Sequence, residues 1–218
     1  MMAYGACIFD LDGVITDTAH YHFLAWKRLA ESVGVPFDEE DNHQLKGVGR
    51  MESLAYILAK SDRTFDEAAR ARLAEQKNDD YKNLIREISP ADLLPGILDA
   101  FDWLTERGMK IGLASASKNA RPVIESLGVA DRFHYVADAA QIPRGKPAPD
   151  IFLDVATAFG LSPEDCIGVE DAAAGVTAIK SAGMIAIGIG DPVILAHADL
   201  ILPDTADLVG KGFAPLIG

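Results

Sequence analysis

Short, continuously apolar runs recur along the chain, and polar or small residues follow each of them. Such runs are typical of strands buried on both faces of a parallel sheet. Helical patterns separate the later runs. Strand alternating with helix predicts an α/β fold with a doubly wound parallel sheet. The predicted strands span residues 6–9, 110–114, 133–136, 166–169 and 184–188, with a further candidate at 198–202, and the predicted helices span 96–107, 120–127, 149–159 and 172–182.

One long segment interrupts this alternation directly after the first strand. From about residue 18 to residue 89 no strand pattern is present. Helical patterns fill the segment instead, at 18–33, 51–60 and 65–87. An all-helical insertion in an α/β pattern predicts a small α-helical cap domain. We therefore assign residues 1–17 and 92–218 to a core domain and residues 18–91 to the cap.

Charge and cysteine content narrow the class of protein. The 218 residues carry 20 Lys and Arg against 33 Asp and Glu, a net charge of −13, which disfavours nucleic acid and anionic membrane as partners. The two cysteines, Cys7 and Cys166, lie in predicted strands, so we expect buried, reduced thiols. No signal peptide and no apolar run of about 18 residues is recognisable. We expect a cytoplasmic, monomeric enzyme.

Acidic pairs follow two of the predicted strands. Asp10 and Asp12 come after the first strand, and Glu170 and Asp171 come after the fourth. The carboxyl ends of parallel strands meet at one edge of a sheet, where ligands bind. Clustered carboxylates repel unless a cation compensates them, and Mg²⁺ prefers oxygen ligands. Each pair alone also has a purely structural interpretation. Asp10 and Asp12 could form a polar turn after the strand, and Glu170 and Asp171 could be acidic residues at a helix N-terminus.

Two further loops carry groups that suit a phosphate. Ser115 and Ser117 lie where the second strand leads into a helix, so hydroxyl and backbone donors could face an anion; helix capping by Ser117 is the alternative. Lys146 lies in a Gly-Lys-Pro-Ala-Pro loop, and the prolines give it a stiff support. A cation fixed in this way is notable in an acidic chain, because an anionic substrate needs local positive charge.

In chain order, these four motifs resemble those of the haloacid dehalogenase-like phosphotransferase superfamily, over essentially the full length of the sequence. The resemblance implies a Rossmann-like core, with Asp10 as nucleophile and Asp12 as general acid and base with a raised pKa. It implies that Ser115 and Lys146 hold the transferring phosphoryl group. It also implies Mg²⁺, held by the side chains of Asp10, Glu170 and Asp171 and by the backbone carbonyl of Asp12.

The inserted segment is similar to the caps of the hexose-phosphate mutases in that superfamily. This similarity implies an isomerase that moves phosphate between positions 1 and 6 of glucose through a bisphosphate. Such an enzyme needs a second phosphate site, for which Arg50 and residues 117–119 are the candidates. The implied substrate-binding residues are His22, Lys46, Gly47, Val48, Arg50, Lys77, Ala116, Ser117, Lys118 and Asn119.

Other interpretations remain open at this point. A sugar-phosphate phosphatase of the same superfamily shares all four motifs, and a non-catalytic binding protein could share the fold. Arg50 could be a solvated charge at a helix start, His22 a structural histidine and Lys77 an exposed helix lysine. Gly49 stands where the mutase pattern has serine, which should loosen the cap loop.

Overall fold

A computed structural model describes residues 4–217 of the chain. Within them, six parallel strands form one sheet in the order β3-β2-β1-β4-β5-β6. The strands are β1 Ala6–Phe9, β2 Lys110–Leu113, β3 Tyr135–Val136, β4 Cys166–Glu170, β5 Ile185–Ile189 and β6 Leu200–Leu202. The predicted parallel sheet is therefore confirmed. The third strand is shorter than predicted, because the side chain of His134 accepts the Ile111 N–H at 3.1 Å where a strand carbonyl would otherwise serve.

Helices cover both faces of the sheet, as the doubly wound pattern predicts. The helices that cover the sheet are α5 Ile97–Glu106, α6 Ala120–Ser126, α7 Asp150–Phe159, α8 Ala173–Ala182 and α9 Ala214–Ile217. Alternate residues of β1 point to opposite faces: Cys7 and Phe9 pack with α5 and α6, whereas Ala6 and Ile8 pack with α7 and α8. The two cores therefore lie on either side of the central strand.

Four helices lie between β1 and β2, before α5. They are α1 Ala19–Ser32, α2 Glu39–Gln44, α3 Arg50–Leu58 and α4 Glu67–Leu84. Trp26, Leu29, Leu54 and Ile57 belong to a third apolar cluster formed by these helices. A separate cluster favours the predicted division into core and cap, which stays a prediction. Helix α2 was not predicted, because its residues are polar and show no apolar periodicity. It begins with a capping hydrogen bond in which the Asp38 side chain accepts from the Asp41 N–H at 3.0 Å.

The two connections between the helical insert and the sheet run side by side. Thr16 forms an isolated bridge with Leu93, and the Leu94 N–H donates to the Ile15 carbonyl at 2.9 Å. The Thr16 hydroxyl donates to the Asp92 carbonyl at 2.7 Å. The insert therefore leaves and re-enters the sheet layer at one point.

The cysteines lie where the sequence predicts. Cys7 and Cys166 are both free and fully buried, in the neighbouring strands β1 and β4. Burial raises the pKa of both thiols, which keeps them protonated. Across residues 4–217, no helix is both long enough and apolar enough to span a membrane.

Candidate active site

The polar residues at the ends of the three central strands lie together. β1 pairs with β2 on one side and with β4 on the other. Asp10 follows β1, Ser115 lies two residues after β2, and Glu170 ends β4. Their exposures are 3%, 1% and 0%. The order of the strands therefore brings a carboxylate, a hydroxyl and a second carboxylate to one buried edge.

Lys146 joins two of these groups. Its Nζ lies 2.6 Å from Asp10 Oδ1 and 2.7 Å from Glu170 Oε2, and its side chain is fully buried. Burial alone lowers the pKa of a lysine, but the two adjacent carboxylates outweigh it and raise the pKa of Lys146. The lysine is therefore charged and offsets part of the negative charge at the strand ends.

Asp10, Glu170 and Asp171 form an acidic cluster that could hold a metal ion. Each offers a carboxylate oxygen, and these three oxygens lie within 4.8 Å of one another. Burial and the Asp10 charge raise the pKa of Glu170 to about 8. Burial also raises the pKa of Asp171, to about 6. The all-oxygen donor set and its mutual repulsion both suit a hard divalent cation.

The backbone carbonyl of Asp12 is also available to a cation. Among the hydrogen bonds of residues 4–217, none ends on this carbonyl, although the neighbouring Leu11 carbonyl accepts from three backbone N–H groups. A backbone carbonyl that accepts no hydrogen bond within the protein keeps its lone pairs available to water or to a cation. The residues present therefore fit the metal that the family resemblance implies.

Two glycines that the sequence reading missed make room for the acidic pair. A Cβ at Gly175, inside α8, would lie 2.0 Å from Glu170 Oε2, and a Cβ at Gly13 would lie 2.2 Å from Asp171 Oδ2. Gly13 also has a φ of 86°, which other residues rarely adopt. Each carboxylate thus occupies the volume of a missing methyl group. Gly175 gives no local sequence signal of this role.

Asp12 faces the helical insert. Its Oδ1 is buried without a hydrogen-bond partner and lies 3.8 Å from His22 Nε2. Burial, together with the nearby Asp10 and Asp171 charges, raises the pKa of Asp12 to about 8. A carboxyl group with a pKa near neutrality can both give and take a proton, which is the property expected of Asp12.

The partly exposed His22 and the buried Lys77 form a pair beside Asp12. Lys77 Nζ lies 2.9 Å from His22 Nδ1 and over the rings of Trp26 and Tyr81, at 4.5 and 4.8 Å. Burial and the Arg50 charge lower the pKa of Lys77 to about 7, and burial and Lys77 lower that of His22. With Lys77 as donor to Nδ1, neutral His22 carries its proton on Nε2, toward Asp12. Lys77 is 3% exposed, so the exposed-lysine alternative is wrong.

A cavity separates the strand ends from the helical insert. Lys46 Nζ crosses to Asp171 Oδ2 at 3.2 Å, and a Cβ at Gly47 would lie 3.3 Å from the Ala172 Cβ, so the insert contacts the core. Predicted residues that line the cavity are Asp10, Asp12, His22, Lys46, Gly47, Val48, Arg50, Lys77, Ala116, Ser117, Lys118, Asn119 and Asp171. Lining residues that the sequence reading did not assign are Ala19, Trp26, Asn42, Leu45, Ser53 and Asn78.

In the loop after β2, the hydroxyls of Ser115 and Ser117 each accept a hydrogen bond from a backbone N–H two residues further along. Ser115 Oγ accepts from the Ser117 N–H at 3.1 Å, and Ser117 Oγ accepts from the Asn119 N–H at 3.2 Å. Each hydroxyl keeps its own proton free to donate. The capping alternative for Ser117 is wrong, because Asn119 is the N-cap of α6 and, among residues 4–217, no side chain makes a capping bond to that helix. The hydroxyl proton of Ser117 remains a donor for an anion.

Arg50 and Asn119 meet at a third residue. Asn78 Oδ1 accepts from Arg50 Nη2 at 2.8 Å and from Asn119 Nδ2 at 2.9 Å. Arg50 is the first residue of α3, and its side chain is 18% exposed, so it is not a fully solvated charge. Asp138, another strand-end acid, is exposed and accepts from Ala140 and Gln141 instead.

Gly49, which stands where the mutase pattern has serine, lies in the loop before α3. Its φ is −63° and its ψ is 156°, an extended conformation that any residue can adopt. A Cβ there would approach only the flexible end of the Glu52 side chain, at 2.5 Å. The glycine is therefore not required by the backbone.

Sequence comparison assigns the chain to a family. Residues 4–183 match the family model of the haloacid dehalogenase-like hydrolases. The chain is 48% identical to the β-phosphoglucomutase of Bacillus subtilis over 205 residues, which cover 93% of this chain and 91% of the relative. It is 31% identical to a phosphorylated-carbohydrate phosphatase of Thermotoga maritima, over 82% of each chain.

Structural comparison agrees with this assignment. The crystal structure of a β-phosphoglucomutase from Clostridium difficile matches with a TM-score of 0.92 and 46% identity, covering 95% of this chain and 94% of that one. The resemblance predicted from the four motifs is confirmed. The chain belongs to the haloacid dehalogenase-like hydrolase family.

Proposed function

We propose that the chain is a β-phosphoglucomutase, which interconverts β-glucose 1-phosphate and glucose 6-phosphate. The observation that carries the proposal is that one cavity is lined both by Asp10 and Asp12 and by Arg50, Lys118 and Asn119. Within residues 4–217, no hydrogen bond or ion pair joins the second group to the first. A cavity with the reactive carboxylates at one place and separate cationic and amide donors at another suits a bisphosphate, one phosphate of which reacts while the other is held. We expect a monomeric, cytoplasmic enzyme, since buried free thiols suit a reducing compartment.

The proposed reaction has two phosphoryl transfers. In one transfer, an Asp10 oxygen attacks one phosphorus of the bisphosphate, the bond from phosphorus to the sugar oxygen breaks, and Asp12 gives that oxygen its proton. In the other transfer, the free hydroxyl of a glucose monophosphate attacks the phosphoaspartate, its proton passes to Asp12, Asp10 regains its carboxylate, and the bisphosphate is formed again. The bisphosphate exchanges its two ends between the transfers, which moves phosphate between positions 1 and 6. Lys146 and the Ser115 hydroxyl offset the charge on the phosphoryl oxygens. A small shortening of the 3.8 Å separation between His22 Nε2 and Asp12 Oδ1 would give Asp12 a hydrogen bond that orients it.

The proposed cofactor is Mg²⁺, held by the side chains of Asp10, Glu170 and Asp171 and by the Asp12 carbonyl. When bound, it neutralises negative charge on the acidic cluster and on the phosphoryl group. Coordination favours the ionised carboxylates, so it lowers the pKa values of Glu170 and Asp171. Lys46 would then exchange Asp171 for the substrate.

Replacing Gly175 with alanine is expected to weaken cation binding. In an ordinary helix position this change stabilises the helix by about 1 kcal/mol, but here the methyl group collides with the Glu170 carboxylate. We expect the Mg²⁺ concentration for half-maximal activity to rise about tenfold or more. Activity measured against Mg²⁺ concentration tests this.

The matched control for that substitution is Gly210→Ala. Gly210 is exposed, and a Cβ there would meet nothing within 4 Å. Its Mg²⁺ dependence should stay as in the wild type. An unchanged Mg²⁺ dependence in Gly175→Ala would contradict the assignment of Glu170 as a ligand.

Product analysis separates the mutase from a phosphatase. We supply β-glucose 1-phosphate, Mg²⁺ and a trace of β-glucose 1,6-bisphosphate, and follow products by phosphorus NMR. Asp10 is 3% exposed and Lys46 of the insert contacts Asp171 of the core, so we expect a sugar hydroxyl to reach the phosphoaspartate in preference to water. Glucose 6-phosphate should then exceed free phosphate by at least about tenfold. Free phosphate as the main product would identify a sugar-phosphate phosphatase, the function named for the Thermotoga maritima relative.

A further inference from the structure

Asn78 is a buried polar residue of the helical insert that none of the proposed steps uses. It lies on α4, is 5% exposed and lines the cavity. Its single side-chain oxygen accepts from Arg50 Nη2 at 2.8 Å and from Asn119 Nδ2 at 2.9 Å. One amide oxygen therefore links α3 and α4 of the insert to the loop before α6 of the core.

The two donors are those that the proposed function gives to the second phosphate. Both are largely buried, with Asn119 8% exposed and the Arg50 side chain 18% exposed. An arginine that is already held in place loses less conformational entropy when its ligand arrives. Each donor also keeps further N–H groups, which remain available to phosphate oxygens.

Asn78 itself is poorly placed to bind the phosphate directly. Its Oδ1 is an acceptor, like phosphate oxygens, and both of its lone-pair directions are engaged by the two donors. Its Nδ2 points to Glu75 Oε1 at 3.5 Å. The residue can therefore act on the phosphate only through Arg50 and Asn119.

Within residues 4–217, two hydrogen bonds between side chains join the insert to the core across the cavity, and only the one made by Asn78 is independent of the metal site. Lys46 contacts Asp171, which is a proposed metal ligand, so a cation competes with that contact. The Asn78–Asn119 hydrogen bond involves neither the acidic cluster nor Lys146. It therefore survives the loading of the metal.

We propose that Asn78 is a positioning residue that holds Arg50 and Asn119 ready for the second, non-reacting phosphate. Binding of that phosphate then strengthens the bridge between insert and core, because it adds a shared ligand to two groups already tied together. The inference rests on the proposed function in that the second phosphate is the one carried by the bisphosphate.

The test compares two phosphoryl donors in Asn78→Leu and Asn78→Ala. Leucine keeps nearly the shape of asparagine without the acceptor, whereas alanine removes both. Acetyl phosphate carries one phosphate and reports on Asp10 and Lys146, whereas β-glucose 1,6-bisphosphate also needs the second site. The ratio of kcat/KM for the bisphosphate to kcat/KM for acetyl phosphate should fall by at least about tenfold in both variants, mainly through KM.

The control and the contrary outcomes are specific. Asn83→Ala makes the same change at an exposed position of α4, and its ratio should match the wild type. A ratio within about threefold of wild type in the Asn78 variants would overturn the proposal, since it is less than one charged hydrogen bond contributes. Recovery of the ratio in Asn78→Leu would overturn it too, because packing would then be the role.

A third variant, Asn78→Gln, covers the case in which the first two do not fold. If neither variant folds, as judged by thermal unfolding, Asn78→Gln keeps the amide but moves its oxygen by one methylene, and the same fall in the ratio is expected. A wild-type ratio in Asn78→Gln would then overturn the proposal. If the enzyme releases free phosphate from the bisphosphate, the mutase function fails, yet the ratio still reports on Asn78.

Discussion

Replacing Asp10 with asparagine is expected to abolish turnover, by a factor on the order of 10⁴ or more. The substituted side chain keeps its size and one oxygen, but a neutral amide is a poor nucleophile and leaves no stable phosphoryl acceptor. Asp10 is 3% exposed at the end of the central strand, so water cannot readily replace it as nucleophile. Formation of glucose 6-phosphate from β-glucose 1-phosphate measures the effect.

A second measurement identifies the covalent step. Intact mass after incubation with acetyl phosphate should show one added phosphoryl group in the wild type and none in Asp10→Asn. The matched control is Asp99→Asn, an exposed carboxylate in the first turn of α5, which should behave as the wild type. Turnover within about tenfold of wild type in Asp10→Asn would show that another residue is the nucleophile.

Replacing Lys146 with methionine should damage both stability and activity. Methionine has a similar length and no charge, so Asp10 and Glu170 lose a partner that is 2.6 and 2.7 Å away. Removing one partner of a buried ion pair costs about 3–5 kcal/mol of the free energy of unfolding, because the remaining charges are uncompensated. Turnover should fall by about 10²–10³, the usual cost of one transition-state contact.

The stability effect has a distinctive dependence on the metal. Urea unfolding of Lys146→Met should show the larger loss in EDTA and a smaller loss in saturating Mg²⁺, because a cation replaces the missing positive charge. The control is Lys180→Met, which breaks the partly exposed pair with Asp199 and should cost less than about 1 kcal/mol. Equal losses in EDTA and Mg²⁺ would contradict a cation site beside Lys146.

Three of the four motifs could be placed at one edge of the sheet from the sequence, because each of them follows a predicted strand. Once the strands are parallel and β1 is central, Asp10, Ser115 and Glu170 must share one edge of the sheet. Lys146 was predictable for a different reason, since the prolines beside it restrict its loop. The local sequence and the strand order together were therefore sufficient for these residues.

Other residues depend on packing that no local pattern reveals. The need for glycine at position 175 arises from the path of the Glu170 side chain, and the role of Asn78 arises from the approach of α4 to the loop before α6. The short helix α2 lacks an apolar face, so no helical periodicity is visible in its sequence. It nevertheless brings Asn42 to the cavity wall. These features follow from the relative positions of distant segments.

The hydrogen-bonded crossing at Thr16 and Leu93 has a consequence for how such proteins diversify. Because the insert departs and returns at neighbouring points, its length and its side chains can change without altering the register of any strand. An insert of another length or sequence can therefore replace this one while Asp10 and Lys146 stay in place. Under this architecture, the proposed substrate contacts from the insert, such as those of Lys46 and Arg50, can change without moving the strand ends that carry Asp10 and Glu170.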